Sequence, residues 1–287
     1  MNYITRVMFV SVITNIFLAI IKIIFGIIGK SGALIADGIH SFSDLVTDFF
    51  AIIGGILARK PADKEHPCGH GNLEYLTSML IGILILSLGF TIISKSMHKE
   101  IIIPSILVVI VSIITIIAKW LLANFVSNKG KFYNNPILIA SGKESKTDIY
   151  SSIVVLVSGI LMQFSNKLTF LKYADIVASI IVGIFIIKVG FNVLKENISS
   201  ILGESAEEDV IYNIKKIILE NDSIINISNF ILIKYGSYYR LTLEVTMDGN
   251  LTLNEAHKII DNIENKIKEN NNKIAYITIH MEPKNQS

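Results

Sequence analysis

The run from Ile27 to Leu57 is apolar over most of its length and is long enough to cross a lipid bilayer. Within it lie four ionisable side chains, Asp37, His40, Asp44 and Asp48. A charged side chain at the centre of a membrane helix costs about 3 kcal/mol or more, so such residues face a cavity or a partner instead of lipid. Because His40, Asp44 and Asp48 recur every four residues, they share one face of a helix. The sequence therefore predicts a membrane helix with a functional polar face.

The composition agrees with a membrane location. The chain has 287 residues, of which 51% are hydrophobic and 17% are charged, whereas a soluble domain averages about 25% charged residues. A net charge of +2 is too small to predict a nucleic-acid partner. Cys68 is the single cysteine, which excludes an internal disulfide. The first apolar run lacks a small-residue cleavage site, so we interpret it as a spanning helix and not a signal peptide.

Six segments have the length and apolar character of membrane spans. The fourth is almost featureless and is predicted to pack against other helices or face lipid. The spans are Val7–Ile28, Gly32–Leu57, Leu73–Ser94, Ile102–Val126, Pro136–Phe164 and Ala174–Leu194.

An even number of spans places both termini on one side of the membrane. More basic residues fall on that side than on the other, so the positive-inside rule predicts cytoplasmic termini in a plasma or inner membrane. On the side of the termini are Arg6, Arg59, Lys60, Lys64, Lys129, Lys131 and Lys195, and opposite them are Lys30, Lys95, Lys99, Lys167 and Lys172.

The composition changes after Leu202, where acidic residues begin an amphipathic helix that runs to about Glu220. The following pattern predicts the order αββαβ, with helices on one face of a three-stranded sheet. We therefore predict a six-helix transmembrane domain over 1–200 and a cytoplasmic α+β domain over 203–287. So small a domain would gain stability by pairing with a second copy. The later elements are Asn229–Lys234, Tyr239–Met247, Asn254–Glu269 and Lys273–Glu282.

The fifth span carries a second polar face, because Glu144 and Asp148 are again four residues apart. At 1.5 Å per residue, His40 and Asp44 lie about 12 and 18 Å from one surface. Glu144 and Asp148 lie about 12 and 18 Å from the other surface. All four groups therefore meet near the midplane. One imidazole and three carboxylates predict a four-ligand site for a divalent cation.

The alternative is that two unrelated polar helices pack in a bundle, with Asp148 paired to Lys143 or Lys146. Asp37 lies nearer the outer surface and is interpreted as a structural or exit-path carboxylate. Asp48 is predicted to lie at the cytoplasmic mouth or to pair helices. Two deeper lysines have no assigned role, and these are Lys22 and Lys188.

The loop between the second and third spans holds Asp63, His66 and His70 within eight residues. A carboxylate and two imidazoles suit Zn²⁺ or a related transition metal. Cys68 lies between the histidines and would either add a thiolate or fill space.

Together these features resemble the cation diffusion facilitator family, over essentially the whole chain. The matching segments are ALIADGIHSFSDLVTD, PADKEHPCGHGNLE, ExxxD at 144–148, YAD at 173–175, LTLNEAH and IHMEP.

The resemblance implies a homodimer of six-helix protomers with a ferredoxin-like cytoplasmic domain for dimerisation and regulation. It implies export of Zn²⁺, Mn²⁺, Fe²⁺ or Co²⁺ from the cytoplasm in exchange for protons, with no prosthetic group. His40, Asp44, Glu144 and Asp148 match the family's transport site. Asp63, His66 and His70 match its loop site, and a C-terminal metal site is partly matched by His257, His280 and Glu282.

The chain departs from the family pattern in two places. Glu144 stands where zinc transporters of the family commonly have histidine, and a carboxylate there favours Mn²⁺ or Fe²⁺. Ser228 and Glu244 stand where histidines are common in the C-terminal domain, so that site is expected to be weak or absent.

Three other function classes fit some of these features. A metal sensor would bind the cation without flux. A membrane metalloenzyme would need an open coordination position, and the sequence has no HExxH motif. A channel would need weaker ligands for rapid passage. We therefore predict a transporter and not an enzyme.

Overall fold

The computed structural model describes residues 3–98, 100–133, 135–166 and 168–284. Lys99 and Lys167, which were used to predict the orientation, lie outside the described residues, as do the outermost ends of the two predicted domains. The described chain contains six helices that are long and apolar enough to span a membrane, which confirms the predicted class. They are α1 (Tyr3–Ile28), α2 (Gly32–Ala58), α3 (Leu73–Met97), α4 (Ile106–Phe132), α5 (Pro136–Gln163) and α6 (Ala174–Ile201).

Helix α4 begins at Ile106, later than the predicted start at Ile102. Pro104 precedes the helix and disfavours a helical conformation in the residue before it. Ser105 then acts as the N-cap, because its hydroxyl accepts the Leu107 N–H at 3.3 Å. Local backbone chemistry, and not hydropathy, therefore fixes this boundary.

Two helices extend beyond the apolar segments from which they were predicted. Helix α4 extends beyond the predicted end at Val126, and α6 extends beyond Leu194. A membrane span needs about 20 apolar residues, but helical hydrogen bonding continues into polar sequence. A short 3-10 helix, Thr169–Tyr173, precedes α6.

The chain forms two compact units, each assembled from two segments. The first comprises Met1–Phe50 and Leu80–Leu194, and the second comprises Ala51–Met79 and Lys195–Ser287. The second unit therefore includes the loop between α2 and α3. The predicted domain boundary between residues 200 and 203 stays a prediction.

In the first unit, close packing of α4 and α5 depends on small residues. A Cβ atom added at Gly142 would lie 2.8 Å from the backbone nitrogen of Ser127, so only glycine permits this approach. The apolar core of the unit is formed by Ala33, Leu34, Ala36, Ile81, Ile85, Val108, Val111, Val155, Ala178, Val182 and Ile186.

The start of α2 is fixed by a carboxylate from α6. Asp175 accepts the Ser31 hydroxyl at 2.5 Å and the Gly32 N–H at 2.8 Å. Both groups would otherwise be unsatisfied at the helix N-terminus, where the dipole also favours a negative charge. The helix that carries His40 and Asp44 is thereby held in place at its N-terminal end.

The second unit contains the α+β domain, with α7 (Glu208–Leu219), β1 (Ile224–Tyr235), β2 (Tyr238–Met247), α8 (Leu253–Asn270) and β3 (Ile274–Pro283). The sheet has the order β1-β2-β3, with β1 antiparallel and β3 parallel to β2. This arrangement confirms the predicted order αββαβ. Apolar residues alternate along β2 and form its buried face, and these are Leu241, Leu243, Val245 and Met247.

The loop between α2 and α3, together with the first turn of α3, contacts the β1–β2 turn within the second unit. The Tyr75 hydroxyl accepts the Gly236 N–H at 2.9 Å, and the Gly71 N–H donates to the Tyr238 hydroxyl at 3.3 Å. A Cβ atom at Gly71 would lie 2.4 Å from the carbonyl oxygen of Tyr235, so a larger residue would push the loop from the turn.

Candidate metal centres

The polar faces of α2 and α5 meet in the first unit. His40, Asp44 and Asp148 each present a ligand atom within 4.8 Å of the others. His40 Nδ1 lies 3.9 Å from an Asp44 carboxylate oxygen, which is too long for a hydrogen bond. The His40 side chain is buried, and the side chains of Asp44 and Asp148 are 20% and 14% exposed. The ligand atoms of these three residues are close enough together to coordinate one cation.

Two atoms of this group are buried without a hydrogen-bond partner in the described part of the chain. They are Nδ1 of His40 and one carboxylate oxygen of Asp44. Leaving buried polar atoms unpaired is costly, and native structures contain only a few such atoms. A divalent cation would satisfy both atoms, since imidazole nitrogen and carboxylate oxygen are common ligands for transition metals.

A cavity of about 550 Å³ adjoins the group, and Glu144 lines it together with His40, Asp44 and Asp148. Glu144 is exposed and lies outside the compact group of three. The structure therefore brings three of the four predicted ligands together and leaves the fourth on the wall of the same cavity. Lys188, which had no assigned role, also lines this cavity.

Asp148 has a lysine partner that the sequence reasoning missed. The Lys119 ammonium on α4 lies 2.8 Å from an Asp148 carboxylate oxygen, and its side chain is 4% exposed. The alternative partners considered above, Lys143 and Lys146, are both exposed. A lone lysine within the apolar run of α4 was the available signal, because an intramembrane charge is a functional candidate by default.

A second buried ion pair accounts for Lys22 and Asp37. The Lys22 ammonium lies 2.8 Å from the Asp37 carboxylate, and each side chain is 1% exposed. Ser151 and Ser152 donate hydrogen bonds to the two Asp37 oxygens at 2.6 and 2.8 Å. The Lys22 ammonium also donates to Ser41 and Ser152. The pair therefore ties α1, α2 and α5 together and agrees with a structural role for Asp37.

The three residues of the predicted loop site lie close together in the second unit. Asp63 oxygens lie 3.5 Å from His66 Nδ1 and 3.5 Å from His70 Nε2. His70 is buried and donates from Nδ1 to the Pro61 carbonyl at 3.2 Å, which leaves Nε2 facing Asp63. A hydrogen bond of this kind fixes the tautomer of a metal-binding histidine. The arrangement offers one oxygen and two nitrogen ligands.

The Asp63 carboxylate is kept in its charged form. The backbone N–H of His66 and the Lys60 ammonium both bind it and hold the pKa of Asp63 below its ordinary value. Cys68 is exposed and lies outside this group, and its sulfur contacts Arg240 at 3.5 Å. The structure thus offers Cys68 a different partner from the loop histidines.

The third predicted set is not assembled within the described chain. His257, His280 and Glu282 are exposed, and they do not form a common group of ligand atoms in the protomer. His257 lies 3.4 Å from Asp261 on the same helix. Glu244 accepts a hydrogen bond from Asn229 at 2.6 Å and has Ser228 beside it at 3.5 Å, so polar protein contacts occupy these positions.

Comparison with known families accounts for nearly the whole chain. The family model described as "Cation efflux transmembrane domain" matches residues 8–202, and that described as "Cation efflux protein, cytoplasmic domain" matches residues 206–284. The chain belongs to the cation diffusion facilitator family. It is a multi-pass membrane transporter for the efflux of metal cations, which confirms the prediction of a transporter and not an enzyme.

Similar proteins match this chain over most of their length. The manganese efflux system protein MneP of Bacillus subtilis is 29% identical over 285 residues, covering 97% of this chain and 95% of the relative. An uncharacterized transporter of Methanocaldococcus jannaschii is 32% identical over 284 residues, covering 97% of this chain and 99% of the relative. The magnetosome protein MamB of Magnetospira is 27% identical over 252 residues, covering 86% of this chain and 84% of the relative.

Proposed function

We propose that this transporter exports a divalent transition-metal cation from the cytoplasm in exchange for protons by alternating access. The observation that supports the proposal most directly is the group of His40, Asp44 and Asp148 beside the large cavity. These ligands lie about halfway along two membrane helices, where a transported cation must pass. Glu144, on the wall of the cavity, is the proposed fourth ligand.

The proposed cation is Mn²⁺ or Fe²⁺ ahead of Zn²⁺ and Co²⁺. One imidazole and three carboxylates form a hard, oxygen-rich ligand set, which suits Mn²⁺ better than a set with two imidazoles does. The name of the relative MneP, a manganese efflux protein, is in line with this choice.

Exchange with protons follows from the chemistry of the ligands. Imidazole and carboxylate must be deprotonated to bind metal, so proton and metal compete for the same atoms. Facing inward, the site takes up the cation and gives up protons. Facing outward, protons displace the cation, and the protonated site returns. The proposal needs no proton carrier beyond His40 and the carboxylates.

The working assembly is proposed to be a homodimer in the plasma or inner membrane with both termini in the cytoplasm. The domain over 203–287 would pair with a second copy and regulate transport, since a domain of this size gains stability by association. Asp63, His66 and His70 are proposed to bind a second, non-transported metal. His257, His280 and Glu282 are the candidates for a third site.

Flux measurements in proteoliposomes test the transport site. Asp44→Ala and Asp148→Ala should each abolish metal-driven proton movement, because each removes a proposed metal ligand that also exchanges protons. Lys146→Gln removes an exposed charge from the same helix as Asp148 and is the matched control, which should transport normally. Wild-type flux in either aspartate variant would refute the site.

The same preparation separates transport from sensing. A sensor would bind Mn²⁺ stoichiometrically but would show no metal-driven proton movement in the wild type. A transporter shows both, and both should depend on Asp44 and Asp148.

A metal panel tests the role of Glu144. With an imposed pH gradient, Glu144→His should shift the preference from Mn²⁺ toward Zn²⁺ by about tenfold, because a second imidazole softens the site. Transport of the two metals in an unchanged ratio would show that Glu144 does not set the selectivity.

A further inference from the structure

Lys119 is a buried cation placed where a metal cation is proposed to bind. Its ammonium lies 2.8 Å from Asp148, in the group formed with His40 and Asp44. A charged lysine is expensive within a membrane helix and requires an anionic partner. In the described part of the chain, Asp148 is the carboxylate that the Lys119 ammonium pairs with.

We propose that Lys119 is a built-in competitor of the transported metal. In the metal-free site its ammonium neutralises Asp148, and the cation must displace it to coordinate this carboxylate. The inference rests on the proposed function, because it requires Asp148 to be a ligand.

Displacement follows from charge and distance. A divalent cation coordinated by Asp148 lies about 2.1 Å from its oxygen. An ammonium that stays 2.8 Å from that carboxylate would face two positive charges at close range. Like charges at such a separation repel strongly where the effective dielectric is low. The lysine side chain has four rotatable methylene groups and moves away more readily than the helix backbone does.

The local surroundings leave Lys119 able to move. Lys22, which is also buried, is held by Asp37 and by the hydroxyls of Ser41 and Ser152. Lys119 lacks such a set of hydroxyl partners in the described chain, and its carboxylate borders the cavity. Asp148 lines the cavity and Lys119 does not, so a Lys119 side chain displaced by the metal would have to turn past Asp148 to reach the cavity.

A tethered competitor has a defined effect on binding. Because it is attached to the protein, its effective concentration at Asp148 is high and does not depend on dilution. It lowers the affinity for metal and speeds release by returning to the carboxylate as the cation leaves. For an exporter this prevents the site from holding its cargo too tightly.

The test uses the full-length protein in lipid nanodiscs and Mn²⁺ alone as the probe, with free Mn²⁺ measured by electron paramagnetic resonance. Asp63→Asn and His70→Ala are introduced first to remove binding at the loop. In this background Lys119→Met should lower the Kd for Mn²⁺ at least about tenfold and slow its dissociation. Lys119→Gln provides a second neutral variant if the methionine protein is unstable.

Two control variants distinguish the effect of breaking the Lys119–Asp148 ion pair from the effect of changing the local charge. Lys119→Arg keeps a cation at Asp148 and should not tighten binding. Lys188→Met removes a positive charge from the wall of the same cavity but not from an ion pair with Asp148, so it should change the Kd by no more than about twofold.

The outcomes distinguish this inference from the proposed function. Unchanged or weaker Mn²⁺ binding in both neutral Lys119 variants overturns the competitor role, provided that Asp148→Asn abolishes binding. Equal tightening by Lys188→Met overturns it as well. If Asp148→Asn binds Mn²⁺ like the background protein, the transport site itself is wrong and the competitor role fails with it.

Discussion

Two buried lysine–aspartate pairs in the described part of the first unit have the same separation of 2.8 Å but different surroundings. Lys22 and Asp37 are each 1% exposed, and serine hydroxyls complete their hydrogen bonds. Lys119 is 4% exposed and Asp148 is 14% exposed beside the cavity. The Lys22–Asp37 pair is therefore enclosed by protein, whereas the Asp148 carboxylate of the other pair is accessible from the cavity.

This difference shows that the role of a buried ion pair depends on its surroundings. A pair with complete hydrogen bonding fixes the packing of the helices that carry it, and breaking it leaves a charge that nothing else can compensate. A pair beside water can exchange partners at lower cost. We therefore interpret Lys22–Asp37 as structural and Lys119–Asp148 as part of the transport machinery.

The largest effect is expected at the closed pair. Asp37→Ala should lower the stability of the first unit by about 3–5 kcal/mol, because it leaves the Lys22 ammonium buried without a counter-ion. Thermal unfolding of the purified protein in detergent measures the loss. Lys22→Met combined with Asp37→Leu should recover most of it, since apolar residues of similar volume can replace a buried pair. A thermal midpoint like that of the wild type in Asp37→Ala would break the comparison.

A smaller effect on stability is expected at the open pair. Asp148→Asn should destabilise the protein by about 1–2 kcal/mol, because water in the cavity can solvate the released Lys119 ammonium. Transport should nevertheless be lost. Thermal unfolding and proteoliposome flux, measured on one preparation, check both parts. Destabilisation as great as in Asp37→Ala would show that the two pairs are equivalent.

The smallest effect is expected at an exposed pair in the second unit. Glu207 accepts a hydrogen bond from the Tyr239 hydroxyl at 2.8 Å and lies 3.1 Å from the Lys234 ammonium. These contacts lower the pKa of Glu207 to about 2. Water screens the pair, so Glu207→Gln should cost about 0.5 kcal/mol at neutral pH.

The sign of the pH dependence is fixed by this pKa. A carboxylate whose pKa is lowered on folding stabilises the protein above its ordinary value of 4.5, and the stabilisation disappears as the pH falls toward about 2. The difference in thermal midpoint between wild type and Glu207→Gln should therefore shrink below about pH 4.5. A constant difference down to pH 2 would contradict the assignment.

Local sequence patterns were sufficient for most of the fold. The spans follow from apolar length, and the α+β domain follows from alternation in β2 and from amphipathic helices. Such patterns depend on neighbours within one element. The C-terminal ends of α4 and α6 could not be predicted from hydropathy, because helical hydrogen bonding continues into polar sequence.

The candidate site could be predicted only in part from the sequence, and the reason is geometric. The spacing of four residues predicts which side chains share a face, and it identified His40, Asp44 and Asp148. It does not give distances between helices, so it could not separate Asp148, inside the compact group, from Glu144 on the cavity wall. Lys119 was missed because its partner depends on the close approach of α4 to α5, which Gly142 permits.

The contact of the α2–α3 loop and the first turn of α3 with the β1–β2 turn has a practical consequence for work on fragments. A soluble piece that begins at residue 203 would lose the Tyr75 hydroxyl and expose the Gly236 N–H that binds it. It would also uncover the aromatic rings of Tyr235 and Tyr238, which Gly71 approaches in the whole chain. The stability and self-association measured on such a piece would therefore differ from those of the intact transporter, in which this surface is covered.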